Sequence, residues 1–157
     1  MKSCSTLTRT ALLTILALTN FGVGIVLGDE KLSRKDVPSA VLAAFQKAFP
    51  HATVKAYGSE KEGDKLFYEI ESLEGKMTRD VLYSPDGTVV EVEESLAEGE
   101  LPQAVTQSVK RQYPKAVITK AERTTRGTIV TYDIRAKQEG KTFSITLDSN
   151  GQAPKPK

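Results

Sequence analysis

Apolar residues recur at every fourth position from Val37 through Val41 and Phe45 to Phe49, with Leu42 and Ala48 widening the stripe. That spacing predicts an amphipathic helix of about three turns. Ser33 or Asp36 is placed to cap it, and Pro38 sits near its first turn, where a missing N–H costs nothing. Pro50 ends it. The period then changes. Ala52–Tyr57, Lys65–Leu73, Lys76–Tyr83 and Thr88–Glu94 alternate in polarity or are rich in β-formers, so they read as strands. Glu74-Gly75 and Asp86-Gly87 read as tight turns between them.

The whole pattern returns 64 positions later, without a gap, from residues 37–88 onto 101–152. Val37-Pro38 meets Leu101-Pro102, Phe49-Pro50-x-Ala52 meets Tyr113-Pro114-x-Ala116, and Gly63 meets Gly127. Tyr68-Glu69-Ile70 meets Tyr132-Asp133-Ile134, and Asp86-Gly87 meets Asn150-Gly151. Leu101, Val105, Val109 and Tyr113 redraw the helix, closed by Pro114. Ala116–Ala121, Thr128–Ala136 and Lys141–Leu147 redraw three strands, with turns at Glu139-Gly140 and Asn150-Gly151. Gln-Ala-Pro-Lys-Pro-Lys then replaces the fourth strand. The fold expected is α+β: two tandem units, each a helix followed by an antiparallel meander. The first spans 37–96 and the second 97–152, with a tail at 153–157. Expected in the first core are Phe45, Phe49, Tyr68, Ile70, Val81 and Val90. In the second they are Val109, Tyr113, Tyr132, Ile134, Ile145 and Leu147.

Residues 1–28 read as a secretory leader: Lys2 and Arg9, then the apolar run Ala11–Leu18, then Val26-Leu27-Gly28 before Asp29. Cleavage is expected after Gly28. Cys4 precedes the apolar run, so it is not a lipid-attachment cysteine. The charged stretch 29–36 reads as a loose lead-in. Removing the leader takes away the single cysteine, which excludes disulfides and thiol chemistry in what remains. It also takes two of the 22 basic residues, leaving as many as the 20 acidic ones. A neutral domain has no electrostatic footprint for nucleic acid.

A secretory leader followed by Val-Pro-x-x-Val-x-x-x-Phe-x-x-x-Phe-Pro-x-Ala, Tyr-Glu-Ile-Glu and an Asp-Gly turn into Val-x-Glu-x-Glu resembles the PepSY-like, β-lactamase-inhibitor-like proteins of bacterial envelopes. The resemblance covers residues 37 to about 152. It implies two helix-plus-meander units whose sheets join edge to edge, with helices on one face and an open face opposite. It implies no catalytic residue, and no cofactor is expected.

Candidate chemistry is sparse. His51 is the single histidine and follows Pro50 at an exposed corner, so neither a catalytic triad nor a histidine-ligated metal is expected. Asp148-Ser149-Asn150-Gly151 looks like part of a calcium loop, but Thr146 holds the first ligand position and hairpin chemistry explains the rest. Tyr68 and Tyr132 read as core. Arg79 is a misfit, since it falls on the parity where the second unit has Phe143.

Strand parity carries the functional expectation. With Glu74-Gly75 as a two-residue turn, Phe67 faces Leu82, Glu69 faces Asp80 and Glu71 faces Thr78, all away from the helices. Val90 and Val92 point inward, so Val89, Glu91 and Glu93 point outward, and Tyr57 joins them. The open face of the first unit would then expose Tyr57, Phe67 and Leu82 beside an acidic row of Glu69, Asp80 and Glu91. Opposed like charges cost a few tenths of a kcal/mol per pair, which a purely structural surface has little reason to pay. The bland alternative is a solvated face. The function expected is a non-enzymatic, periplasmic or secreted binding module, with inhibition of a secreted enzyme as one form. It would dock an envelope protein through that face, and no membrane once the leader is cleaved. Two alternatives stay open: a binder of divalent cations or small cationic ligands through the acidic row, and a scaffold or dimerisation domain using a free sheet edge.

Overall fold

Tight turns join most successive strands, so each pairs with the next and sheet order is sequence order. The computed structural model describes residues 26–154. They form an α+β fold of eight antiparallel strands and two α-helices. The strands are β1 (Val26–Leu32), β2 (Thr53–Glu62), β3 (Lys65–Glu74), β4 (Met77–Tyr83), β5 (Val89–Ser95), β6 (Val117–Arg126), β7 (Ile129–Gln138) and β8 (Lys141–Asp148). The helices are α1 (Ser39–Ala48) and α2 (Gln103–Gln112). The expected leader lies outside the described residues except for Val26–Gly28, which open β1. Residues 155–157 of the tail lie outside them too.

The lead-in is not loose. Glu30, Lys31 and Leu32 pair with Ser59, Gly58 and Tyr57 at the edge of the sheet. A 3₁₀ turn follows at Arg34–Asp36, where the Ser33 hydroxyl donates to Asp36 Oδ2 at 2.5 Å. Those two residues therefore cap that turn rather than α1, whose N-cap is Pro38. Charges on an edge strand hid it from any reading based on apolar alternation.

Elements recur at the spacing of the sequence pattern. Each helix of one half has its counterpart 64 residues on, as do β2 and β3. β5 occupies two roles: it pairs with β4, and it leads into the second helix and pairs with β6 as β1 leads into the first helix and pairs with β2.

Helix and strand apolar faces meet in two cores. Val37, Val41, Phe45, Ile70, Val81 and Tyr83 are buried together, with Phe49, Tyr68 and Val92 packed against them. Leu101, Val105, Val109, Ala121, Ile134 and Leu147 form the second, joined by Tyr132 and Ile145. Val90 does not reach the first core. It is the extra residue of a bulge where the pairing slips between Leu82–Glu91 and Tyr83–Val89. The same slip puts Val89 opposite Tyr83, on the helix side, though 48% exposed at the strand end.

Arg79 is 6% exposed. Its guanidinium lies 4.0 Å from the centre of the Phe49 ring and pairs with Glu94 at 2.9 Å and Glu74 at 3.0 Å. Sixty-four residues on, the same two places hold Tyr113 and Phe143, whose rings stack at 4.3 Å. A cation over a ring in one half replaces two rings in the other. Gly87 closes its turn at φ +85° with Ala40 O only 2.7 Å from where a Cβ would sit, so the turn rests directly on α1.

Candidate binding site on the helix-free face

Bulges decide which side chains share this face, and one shifted turn decides which of them oppose each other. The β3–β4 turn is Gly75-Lys76, closed by Glu74 opposite Met77. The register therefore differs by two positions from that expected, which preserves every face but changes every partner. Glu69 stands opposite Leu82, and Glu71 opposite Asp80, which in turn faces Glu93. The acidic row Glu69, Asp80 and Glu91 is thus split over two rungs, yet all three line one small cleft of about 50 Å³ with Glu60, Leu82 and Glu93.

Tyr57 is not part of it. β2 bulges at Lys55, between the pairs Val54–Ser72 and Ala56–Glu71, and everything after the bulge changes sides. Tyr57 pairs with Ile70 and packs half-buried against the first core under α1. Glu60 and Glu62 turn to the helix-free face instead. A matching bulge at Thr119 in β6 brings Lys120, Glu122, Thr124 and Arg126 to that face.

Phe67 and Leu82 do lie on the helix-free face, but each is only 7% exposed, so the expected exposed apolar cluster does not exist. The sheet buries them by curling. Arg126 on β6 donates to Glu62 on β2 at 3.1 Å and to Glu91 on β5 at 2.7 Å. Four strand spacings of about 4.8 Å would put β2 and β6 about 19 Å apart in a flat sheet. Two side chains meet over that span only if the helix-free face is concave. Phe67 pairs beside Glu60 and Leu82 beside Glu91, so both lie under this bridge.

The rest of the concavity is acidic at a cost. Burial pushes the Asp80 carboxyl up to about 6, helped by Glu71 and Glu122 and opposed by Lys120. Burial likewise pushes Glu93 up to about 8, reinforced by the charge of Glu122, a hydrogen bond to it, and Asp80. The charge of Lys120, which is ion-paired with Glu122, offsets part of this. Further along, Asp133 accepts from Thr124 at 3.1 Å and from Thr146 at 2.5 Å, so its carboxylate is already engaged.

Glu93 was legible beside Glu91 as a second outward carboxylate. Glu60, Glu62, Glu122 and Arg126 were not, because a bulge carries no reliable sequence mark. Among the described residues no group of histidine, cysteine or carboxylate side chains is placed to hold a metal ion, and no helix is long and apolar enough to cross a membrane. His51 is exposed, as its position after Pro50 suggested.

The family described as "Putative beta-lactamase-inhibitor-like, PepSY-like" matches residues 67–154. The chain belongs to this family. The PepSY family, described as "Peptidase propeptide and YPEB domain", matches residues 38–93. No curated protein matches this PepSY-like chain. A crystal structure described as "putative periplasmic proteins" from Bacteroides eggerthii is 17% identical with a TM-score of 0.63, over 74% of this chain and 84% of that one. A BLIP-like protein from Bacteroides fragilis is 21% identical with a TM-score of 0.58, over 76% and 85%. At such identities the likeness is one of fold.

Proposed function

We propose that this PepSY-like chain is an exported, non-enzymatic binding module of the bacterial envelope, built of two tandem units, that covers a basic partner protein with its concave face. The observation that carries this reading is the gathering of Asp80, Glu93 and Glu122 in one partly buried place, where desolvation and then their mutual repulsion raise the proton affinity of the first two. A lysine or arginine of a partner entering the cleft would offset both costs. The family description favours inhibition of a secreted enzyme as the form this takes, and the periplasmic description of a structural neighbour favours the compartment. The anchors Tyr57, Phe67 and Leu82 drop out, leaving a charged site.

Retention of an envelope protein by the immobilised chain tests this. Asp80→Lys or Glu93→Lys is expected to abolish retention, and raised salt to weaken it. Retention unchanged in both variants would overturn the concave face as the site. Calorimetric titration with calcium tests the rival: a one-site isotherm lost in Asp80→Asn would replace the protein partner with an ion.

A further inference from the structure

We infer that a proton held between Glu93 and Glu122 closes the seam between the two halves of the sheet, and that its loss lets β5 and β6 part locally. The seam runs through the concave face, and the device works whether or not that face holds a partner.

One ladder joins the backbones of the halves, β5 with β6. It runs from Val92–Thr125 to Ser95–Glu122, four residue pairs against the seven to nine of the hairpins within each half. Among the described residues the two cores have no member in common, with Val92 packed against the first and Leu96 against the second. Side chains therefore matter to this joint. On the helix side Arg123 pairs with Glu94. On the other, Arg126 reaches Glu91 at 2.7 Å and, across the concavity, Glu62 at 3.1 Å.

The third tie across the seam is of another kind. Glu93 stands opposite Thr124 and Ser95 opposite Glu122, so Glu93 and Glu122 are diagonal neighbours on one face, within reach of each other. Their carboxyls share a hydrogen bond. Ionised carboxylates only accept, so this bond exists only while one of the two keeps a proton. The surroundings keep it there. From β4, Asp80 stands directly opposite Glu93, with Glu71 of β3 behind it. Glu91 of β5, Glu69 of β3 and Glu60 of β2 line the same cleft. Lys120 of β6 opposes them, but it is paired with Glu122. Arg126 is engaged by Glu62 and Glu91. On β7, Asp133 faces Glu122 and is held by Thr124 and Thr146, and Arg135 faces Lys120.

The direction of the effect follows from where the proton is held more tightly. In the closed seam, burial and then Glu122 and Asp80 push Glu93 up to about 8, against an ordinary value of 4.5 once it is solvated. The proton therefore favours closure fully below the ordinary value, and that contribution is lost as pH rises through about 8. With both carboxyls charged, the tie becomes a repulsion across the seam. The pairs of Arg123 and Arg126 remain, as does each core, so β5 and β6 part without unfolding either half.

Amide hydrogen exchange read by NMR from pH 5 to pH 8, corrected for the intrinsic effect of pH, tests this. Protection of residues 92–95 and 122–125 is expected to fall at least about tenfold over that range, a value discounted for partial solvent screening. At pH 8 it should lie below the protection of β3 and β7 and be insensitive to low urea, because a local opening exposes little surface. Glu93→Gln carries an amide that donates at every pH, so its seam should lose no more than about threefold. Glu71→Gln, in the same acidic group but away from the seam, should keep the wild-type fall. Circular dichroism matching wild type at pH 5 establishes that the variants fold. Seam amides as protected at pH 8 as those of β3 and β7, or a Glu93→Gln seam that falls as far as wild type, overturns the inference.

Discussion

Glu62 and Arg126 occupy equivalent places in the two halves of the chain, 64 residues apart, and they bond to each other at 3.1 Å. Each ends the first strand after its helix, just before a glycine with φ +60°. The bridge draws two hairpin tips together over the concave face and shields Phe67 and Leu82.

Phe67 therefore behaves as core. Phe67→Ala is expected to lower unfolding free energy by about 3–5 kcal/mol, the range for buried phenylalanine truncation. Arg126→Ala should cost about 1 kcal/mol or less, since the arginine side chain is 44% exposed and its pairs are partly screened. Urea denaturation of both variants measures this. A Phe67→Ala midpoint equal to wild type would mean that the ring is not shielded.

The exchange between Arg79–Phe49 and Phe143–Tyr113 predicts an asymmetry between two substitutions at one position. Arg79→Ala leaves a hole under Phe49 and takes one cation from Glu94, so a loss of about 3 kcal/mol is expected. Arg79→Phe copies the other half, and Arg123 still pairs with Glu94. It should cost clearly less, about 1 kcal/mol. Equal losses in chemical denaturation would show that the ring contact contributes nothing.

Two glycines with positive φ separate backbone strain from crowding. At Gly63, with φ +60°, nothing lies within 4 Å of a new Cβ, and Gly63→Ala should cost about 1 kcal/mol. At Gly87 the Cβ would meet a backbone carbonyl of α1 as well, so Gly87→Ala should cost at least about 2 kcal/mol. Thermal unfolding of the pair gives the comparison. Gly87→Ala as mild as Gly63→Ala would mean that the turn can lift off the helix.

The raised carboxyls have a pH signature of definite sign. Asp80 binds its proton more tightly folded, near 6, than unfolded, near 3.8. Its protonation favours the fold below the unfolded value, and that advantage is lost as pH rises through about 6. Glu93 acts in the same sense up to about 8. Stability should fall from pH 4 toward pH 8 by about 1 kcal/mol per group, after allowance for partial solvent screening. Glu93→Gln should flatten the slope and stabilise the protein at pH 8. A variant with the wild-type slope would place the carboxyl in water.

Periodicity made the helices, the paired cores and most strands legible, because Val41, Phe45, Val105 and Val109 sit on faces that geometry dictates. What failed did so at bulges, at one turn and in the curvature of the sheet. One extra residue at Lys55 turned Tyr57 inward and Glu60 outward, and one at Val90 moved that side chain out of the core. Glu74-Gly75 and Gly75-Lys76 were equally good turns by composition, and the choice between them set which carboxylates oppose each other. Shielding of Phe67 and Leu82 was beyond any parity argument. It comes from curvature, and curvature arises from bulges and from the Glu62–Arg126 contact between distant strands.

Because β5 completes the first meander and also opens the second, the chain cannot be cut into two equal pieces. A fragment ending at Leu96 would retain all five strands that surround α1. The remainder from Ala97 would begin at the turn before α2, with β6 stripped of its inner neighbour. The amino-terminal fragment is therefore the one expected to hold its shape alone, and the carboxy-terminal one to acquire it only when β5 is supplied, on the same chain or as an added peptide.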